Sequence, residues 1–118
     1  MKTSYHHLED DRLAVVDLTD MSAILADQFP DKTVFVVNRV NTPKEIRGRG
    51  LARKLLTAMT ADADAERVVL MLDFQPYSGT DEGRLLQLYQ KFGFEFKPDG
   101  SMVRLPQEST HEYILPAQ

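Results

Sequence analysis

The stretch Arg47-Gly48-Arg49-Gly50-Leu51-Ala52 decides how the rest of this sequence reads. An apolar run, residues 34–40, lies before it, and apolar residues recur at helical spacing over residues 51–63 after it. A strand, a glycine-rich turn and a helix therefore follow one another. That order can build an anion site. The first turn of a helix leaves backbone N–H groups without partners and carries the positive end of the helix dipole, and glycines just ahead of it let a phosphate approach the backbone closely. Arg47, Arg49 and Arg53 add full charges to those partial ones. The glycines alone do not separate this reading from a plain turn that enters a helix.

Size and composition set the frame. With 118 residues the chain reads as one domain over 1–118, in which 1–11 is a polar lead-in and 107–118 a polar tail with an apolar patch at Tyr113, Ile114 and Leu115. A hydrophobic share of 42% with 27% charged residues is ordinary for a soluble globular protein, and the net charge of -4 argues against a dedicated nucleic-acid binder. Between residues 39 and 54 the balance reverses: Arg39, Lys44, Arg47, Arg49, Arg53 and Lys54 face the single acid Glu45. Such an island suits a small polyanion better than a duplex, and one Arg-Gly-Arg-Gly repeat without interleaved aromatics gives no case for nucleic acid. Cysteine is absent, which excludes disulfides, thiolate metal sites and cysteine nucleophiles. His6, His7 and His111 lack paired carboxylate spacing, so no metal site is expected. No apolar run reaches the length of a membrane span and the start lacks a secretory pattern, so the expectation is cytoplasmic, without a membrane.

Taken in order, residues 13–18 are apolar and β-branched enough for a strand. Met21, Ile24, Leu25 and Phe29 then recur at helical spacing behind a Thr19 or Asp20 cap, and Pro30 ends the segment. Residues 22–27 also alternate as a strand would. Residues 33–41 form the best-marked strand, apolar on both faces and so suited to the middle of a covered sheet. In the helix after the glycine turn, Leu51, Leu55 and Met59 line one stripe, with Arg53, Lys54, Thr57 and Thr60 turned to water. Residues 68–74 are a second central strand, and a polar loop over residues 75–80 precedes a helix with Leu85, Leu88 or Tyr89, and Phe92 on its stripe. Gly93 stands where a helix C-terminal glycine belongs, with Phe94 behind it. Residues 94–96 and 102–105 read as strands joined by the turn Pro98-Asp99-Gly100. The whole predicts a mixed α/β domain: one twisted sheet with helices on it.

Two motifs at this separation resemble the GNAT superfamily of acetyl-CoA-dependent N-acyltransferases. Arg47-x-x-Gly50-x-Ala52, behind an apolar strand and Pro43 and ahead of Leu55-Leu56, is similar to the family's pyrophosphate signature. Leu88-Tyr89-Gln90-Lys91-Phe92-Gly93-Phe94 resembles its late helix and the following strand, and Met102-Val103-Arg104-Leu105-Pro106 its closing strand. The resemblance covers residues 33–106. It implies a single, mainly antiparallel sheet with helices on both faces and a splay between the two central strands, where the pantetheine arm of acetyl-CoA pairs with free backbone groups. Backbone N–H groups of Arg49, Gly50, Leu51 and Ala52, extended to Arg53, would hold the pyrophosphate, with Arg47 and Gly48 beside them in the cofactor site.

The implied reaction is acetyl transfer to a primary amine, of a small molecule or a peptide, by direct attack in a ternary complex. Holding both reactants in line supplies much of the acceleration. By the same resemblance Tyr89 protonates the departing thiolate, and backbone N–H near Val40 or Asn41 meets the oxyanion. Candidates for the base are Glu45, Asp73 and Glu82, or a water. Core packing is the competing role for Tyr89, and solvation or helix capping for the acids. A module of the same fold without catalysis, which binds CoA or a protein partner, is the alternative function. The sequence departs from the family at Asn41, where an apolar residue is usual, at Glu82, where an asparagine often contacts the cofactor, and at Leu85, in place of a small residue. The N-terminal acceptor wall is reduced to residues 20–29, which leaves an acceptor pocket that is open, shallow or completed by a second subunit in a homodimer.

Overall fold

The computed structural model describes the backbone of residues 1–73 and 82–107 and the side chains of 1–72 and 86–107. Within them the order is β1 (Ser4–Glu9), β2 (Arg12–Asp20), β3 (Thr33–Asn41), a 3-10 turn (Lys44–Ile46), α1 (Leu51–Glu66), β4 (Val68–Asp73), α2 (Glu82–Lys91), β5 (Glu95–Phe96) and β6 (Ser101–Arg104). The strands form one sheet in the order β1-β2-β3-β4-β6-β5. Only β3 and β4 run parallel, because α1 returns the chain between them; the remaining neighbours are antiparallel. This is the mixed α/β, mainly antiparallel architecture that the sequence predicts. Among the described residues no helix is long and apolar enough to cross a membrane.

Side chains alternate across the sheet with period two, and that alternation sorts the core. Phe35, Val37, Leu70, Leu72 and Met102 meet Leu55, Leu56, Met59 and Ala63 of α1 on one face, and Tyr89 and Phe94 belong to the same cluster. Val34, Val69 and Val103 point the other way, onto Leu25, Phe29 and Met71. Leu56 and Met59 are fully buried, so truncating either to alanine costs about 2–5 kcal/mol. Both α1 and α2 thus serve one face.

The second face is closed by residues 21–32, and here the expected short helix over 20–29 is corrected to a run of turns. Isolated bonds link Leu25 N–H to the Met21 carbonyl and Phe29 N–H to the Leu25 carbonyl, each at 2.9 Å. Side-chain competition explains the change. Ser22 N–H and hydroxyl donate to Asp20, Val34 N–H donates to Ser22 Oγ at 2.9 Å, and Met21 N–H donates to the Val34 carbonyl. The segment is pinned to β3 before a helical ladder can extend.

Two other expectations change. Residues 4–9 of the supposed lead-in are β1, an edge strand paired from Ser4↔Asp17 to Glu9↔Arg12. Tyr5 is its one buried anchor, donating its hydroxyl to Asp62 of α1 at 2.6 Å, so the strand carries little apolar alternation to betray it. Thr60 is buried rather than turned to water, because its hydroxyl donates to the Leu56 carbonyl at 2.8 Å within the helix.

Candidate functional site

At the end of β3 the sheet changes partners. The parallel ladder with β4 runs from Thr33↔Val68 to Val37↔Leu72 and stops, although Asp73 remains paired with Ser101 of β6. On its other side β3 continues against β2 as far as Asn41↔Val15, and the register slips by one residue at Asn38. An extra residue on one strand bends it and increases its twist. The bend falls where β3 and β4 part, so among the described residues the edge of Asn38, Arg39, Val40 and Asn41 that would face β4 is left without it. Val40 is half-buried opposite Val16, and Asn41 is exposed.

From Asn41 a short connection leads to α1. Ile46, wholly buried, anchors the 3-10 turn, and Arg47 returns to extended backbone. Gly48 and Gly50 take φ of +82° and +74°, left-handed values that glycine reaches without a Cβ penalty. Gly50 is the N-cap of α1 and offers no side chain to the helix end; no acid lies in the first turn. The first helical bond runs from Lys54 N–H to the Gly50 carbonyl, which leaves the N–H groups of Leu51, Ala52 and Arg53 without helical acceptors. A Cβ built on Gly48 or Gly50 would meet nothing within 4 Å among the described residues, so the turn is open on that side.

The arginine side chains divide. Arg47 Nε donates to the Thr42 carbonyl at 2.9 Å, closing the turn on itself. Arg49 Nη1 donates to Glu9 Oε2 at 2.8 Å and Asp10 Oδ2 at 2.6 Å, contacts that raise its own pKa and hold the Glu9 carboxyl below its usual range. Arg53 is exposed on the first turn of α1. The sequence offers no sign of the Arg49 contact, because its acids lie in a segment that reads as a lead-in.

The remaining candidates lie apart from the turn in character. Tyr89 is buried, 7% exposed, with its ring edge-on to Phe94 at 5.8 Å between centroids, and it shares the core cluster with Leu51 and Leu55 of α1. Gly93 ends α2 at φ +95°, and Phe94 N–H returns to the Tyr89 carbonyl, so the helix end is built as its sequence predicts. Glu45 is exposed and faces Arg12, 3.5 Å from Nε to Oε1. The side chains of Asp73 and Glu82, and the residues of the 75–80 loop, lie outside the described residues.

No family model matches the sequence, and no curated protein does. Among solved structures the chain is similar to the anti-CRISPR protein AcrVA5, with TM-score 0.54 and 13% identity over 86% of this chain and 98% of that one. It is also similar to NAA60 of Arabidopsis thaliana, solved with a bisubstrate analogue, with TM-score 0.51 and 13% identity over 83% and 66%. A third is the putative acyl-CoA N-acyltransferase of Klebsiella pneumoniae, with TM-score 0.53 and 18% identity over 88% and 72%. The fold is GNAT-like, the fold of acyl-CoA N-acyltransferases.

Proposed function

We propose that this chain is an N-acyltransferase that moves an acetyl group from acetyl-CoA to a primary amine of a small molecule or a peptide, by direct attack in a ternary complex. One observation carries the reading. The uncapped, acid-free start of α1 stands a short connection beyond the point where β3 leaves β4. That pairs a place for pyrophosphate with a strand edge able to bond an amide-bearing arm. The similarity to NAA60, solved with a bisubstrate analogue, and to the putative acyl-CoA N-acyltransferase supports it.

The thioester supplies the activated acyl carbon. In the reaction the amine nitrogen forms a bond to that carbon, the carbon–sulfur bond breaks, and the amine gives up one proton while the thiolate takes one. Backbone N–H groups of residues 48–53 hold the phosphates, and backbone N–H at Val40 or Asn41 faces the oxyanion. Tyr89 gives its phenolic proton to the thiolate, and Glu45, Asp73 or a water receives the amine proton. A cytoplasmic setting, and a second subunit where the acceptor site is open, belong to the same reading.

The burial of Tyr89 against Phe94 favours a second reading, a CoA-binding module without catalysis. Free-thiol release from acetyl-CoA with a panel of amines separates the two, with calorimetry of CoA binding and the Tyr89→Phe variant alongside. The expected result is release by wild type and a rate lower by about 100-fold or more in the variant, the scale of a lost general acid. CoA binding without thiol release selects the module; absence of both removes the acyl-CoA reading.

A further inference from the structure

The tip of the β1–β2 hairpin bears on the phosphate turn. Asp10 and Asp11 join the strands at φ +52° and +60°, left-handed values at both central positions, where asparagine and glycine sit more easily. Strained acids at a turn tip invite a reason. Here the Asp10 carboxylate lies 2.6 Å from Arg49 Nη1, beside that of Glu9 at 2.8 Å. A second pair, Arg12 with Glu45 at 3.5 Å, links the same hairpin to the 3-10 turn that leads into the glycines. The loop over residues 44–50 is therefore docked on the hairpin through charge alone at these contacts.

The partners are all partly exposed, with Arg49 at 45%, Glu9 at 33% and Asp10 at 66% of side-chain surface. Pairs of this kind are individually weak and screened by salt, so a multiply charged anion can displace them. A polyphosphate at the start of α1 would meet a guanidinium already neutralised, one residue before Gly50, and would feel the repulsion of the two carboxylates.

We infer that Glu9 and Asp10 are positioning residues that compete with the phosphates of CoA for Arg49, so that binding exchanges carboxylate for phosphate at one guanidinium. The inference rests on the acyl-CoA reading and adds to it a determinant of affinity outside the family-like motif. Removing the carboxylates frees Arg49 and lifts the repulsion together.

The test is calorimetric titration of CoA into wild type, Glu9→Gln/Asp10→Asn, Arg49→Gln and the triple variant, at low and physiological salt, with thermal unfolding of each to confirm a folded sample. The double variant is expected to bind CoA about two- to five-fold tighter than wild type at low salt. That gain shrinks as salt is added and is smaller in the Arg49→Gln background, where only the relief of repulsion remains. A purely structural role for the acids would weaken binding instead. Equal or weaker binding by the double variant, or a gain undiminished by loss of Arg49, overturns the inference while wild-type binding leaves the acyl-CoA reading standing. Binding by the double variant but not by wild type upholds the competition in its strongest form. If neither binds, both conclusions fall.

Discussion

Asp64, near the end of α1, and Arg104, in β6, form a two-pronged ion pair, Nη1 to Oδ1 at 2.7 Å and Nη2 to Oδ2 at 3.0 Å. The same guanidinium donates through Nε to the Phe92 carbonyl beyond α2, and Gln107 N–H donates to Asp64 Oδ1 at 2.8 Å. One buried cation thus ties the ends of both helices to the last strand of the sheet. An acid so near a helix C-terminus is otherwise disfavoured by the dipole. Removing one partner of a buried pair leaves the other uncompensated, so Asp64→Ala is expected to lower stability by about 2–4 kcal/mol. Restoring a neutral interior with Asp64→Ala/Arg104→Met should recover part of that loss. Denaturant unfolding measures both; a loss under about 1 kcal/mol would put the pair in the class of surface salt bridges.

The same pair predicts an acid dependence. Burial raises the Asp64 carboxyl, but the Arg104 guanidinium and the Gln107 N–H outweigh it, and the net shift is downward. A folded-state pKa below the unfolded one contributes stability that is present above the unfolded value, near about pH 4, and is lost as pH falls through the folded value. The difference in unfolding free energy between wild type and Asp64→Asn should therefore hold steady from neutral pH down to about pH 4 and shrink below it. A difference that grows with acid would contradict the assignment of this pair.

Tyr5 predicts the opposite limb. Burial, then its hydrogen bond to Asp62, pushes its phenol from 10.0 up to about 12. A raised folded-state pKa contributes stability that is fully present below the unfolded value and is lost as pH rises through the folded one. Wild type should therefore lose stability between pH 10 and about 12, and Tyr5→Phe should lose less over that range. At neutral pH the variant is expected to be weaker by about 0.5–1.5 kcal/mol, the worth of one hydrogen bond. Unfolding at a series of alkaline pH values, with absorbance titration of the tyrosinates, checks it.

How much of this was legible in the sequence depended on whether an apolar period or a local turn rule marked the element. Residues 33–41 and 51–63 carry dense periodic apolar side chains, and the strand and helix stand there, the helix running three residues further to Glu66. Gly93 and Phe94 follow a rule local to a helix end, and the structure obeys it. β1 was not legible because an edge strand needs only one buried anchor, Tyr5, among polar neighbours. The helix expected over 20–29 had the right period but lost to Ser22, which Asp20 holds locally and whose bond to Val34 of β3 is non-local. At the site, the glycine turn could be read from spacing, whereas the Arg49 contact with Glu9 and Asp10 joins positions about forty residues apart and leaves no periodic trace.

Gly50 supplies the sharpest test of the turn itself, because fold and ligand make different demands on it. It caps α1 at φ +74° and ψ +19°, and a Cβ there would touch nothing among the described residues. Substitution therefore strains only the backbone. Gly50→Ala should cost about 1–2 kcal/mol of stability for the left-handed conformation. Gly50→Asn should cost less, since asparagine visits that region readily, and β-branched Gly50→Val should cost the most. CoA binding should follow a different order. If phosphate must approach bare backbone, any side chain obstructs it, and Gly50→Asn should lose affinity nearly as far as Gly50→Val although its fold is close to wild type. Calorimetry beside denaturant unfolding separates the two scales. Affinity that falls in step with stability, with Asn binding as well as Gly, would mean that the turn shapes the helix and not the cofactor site.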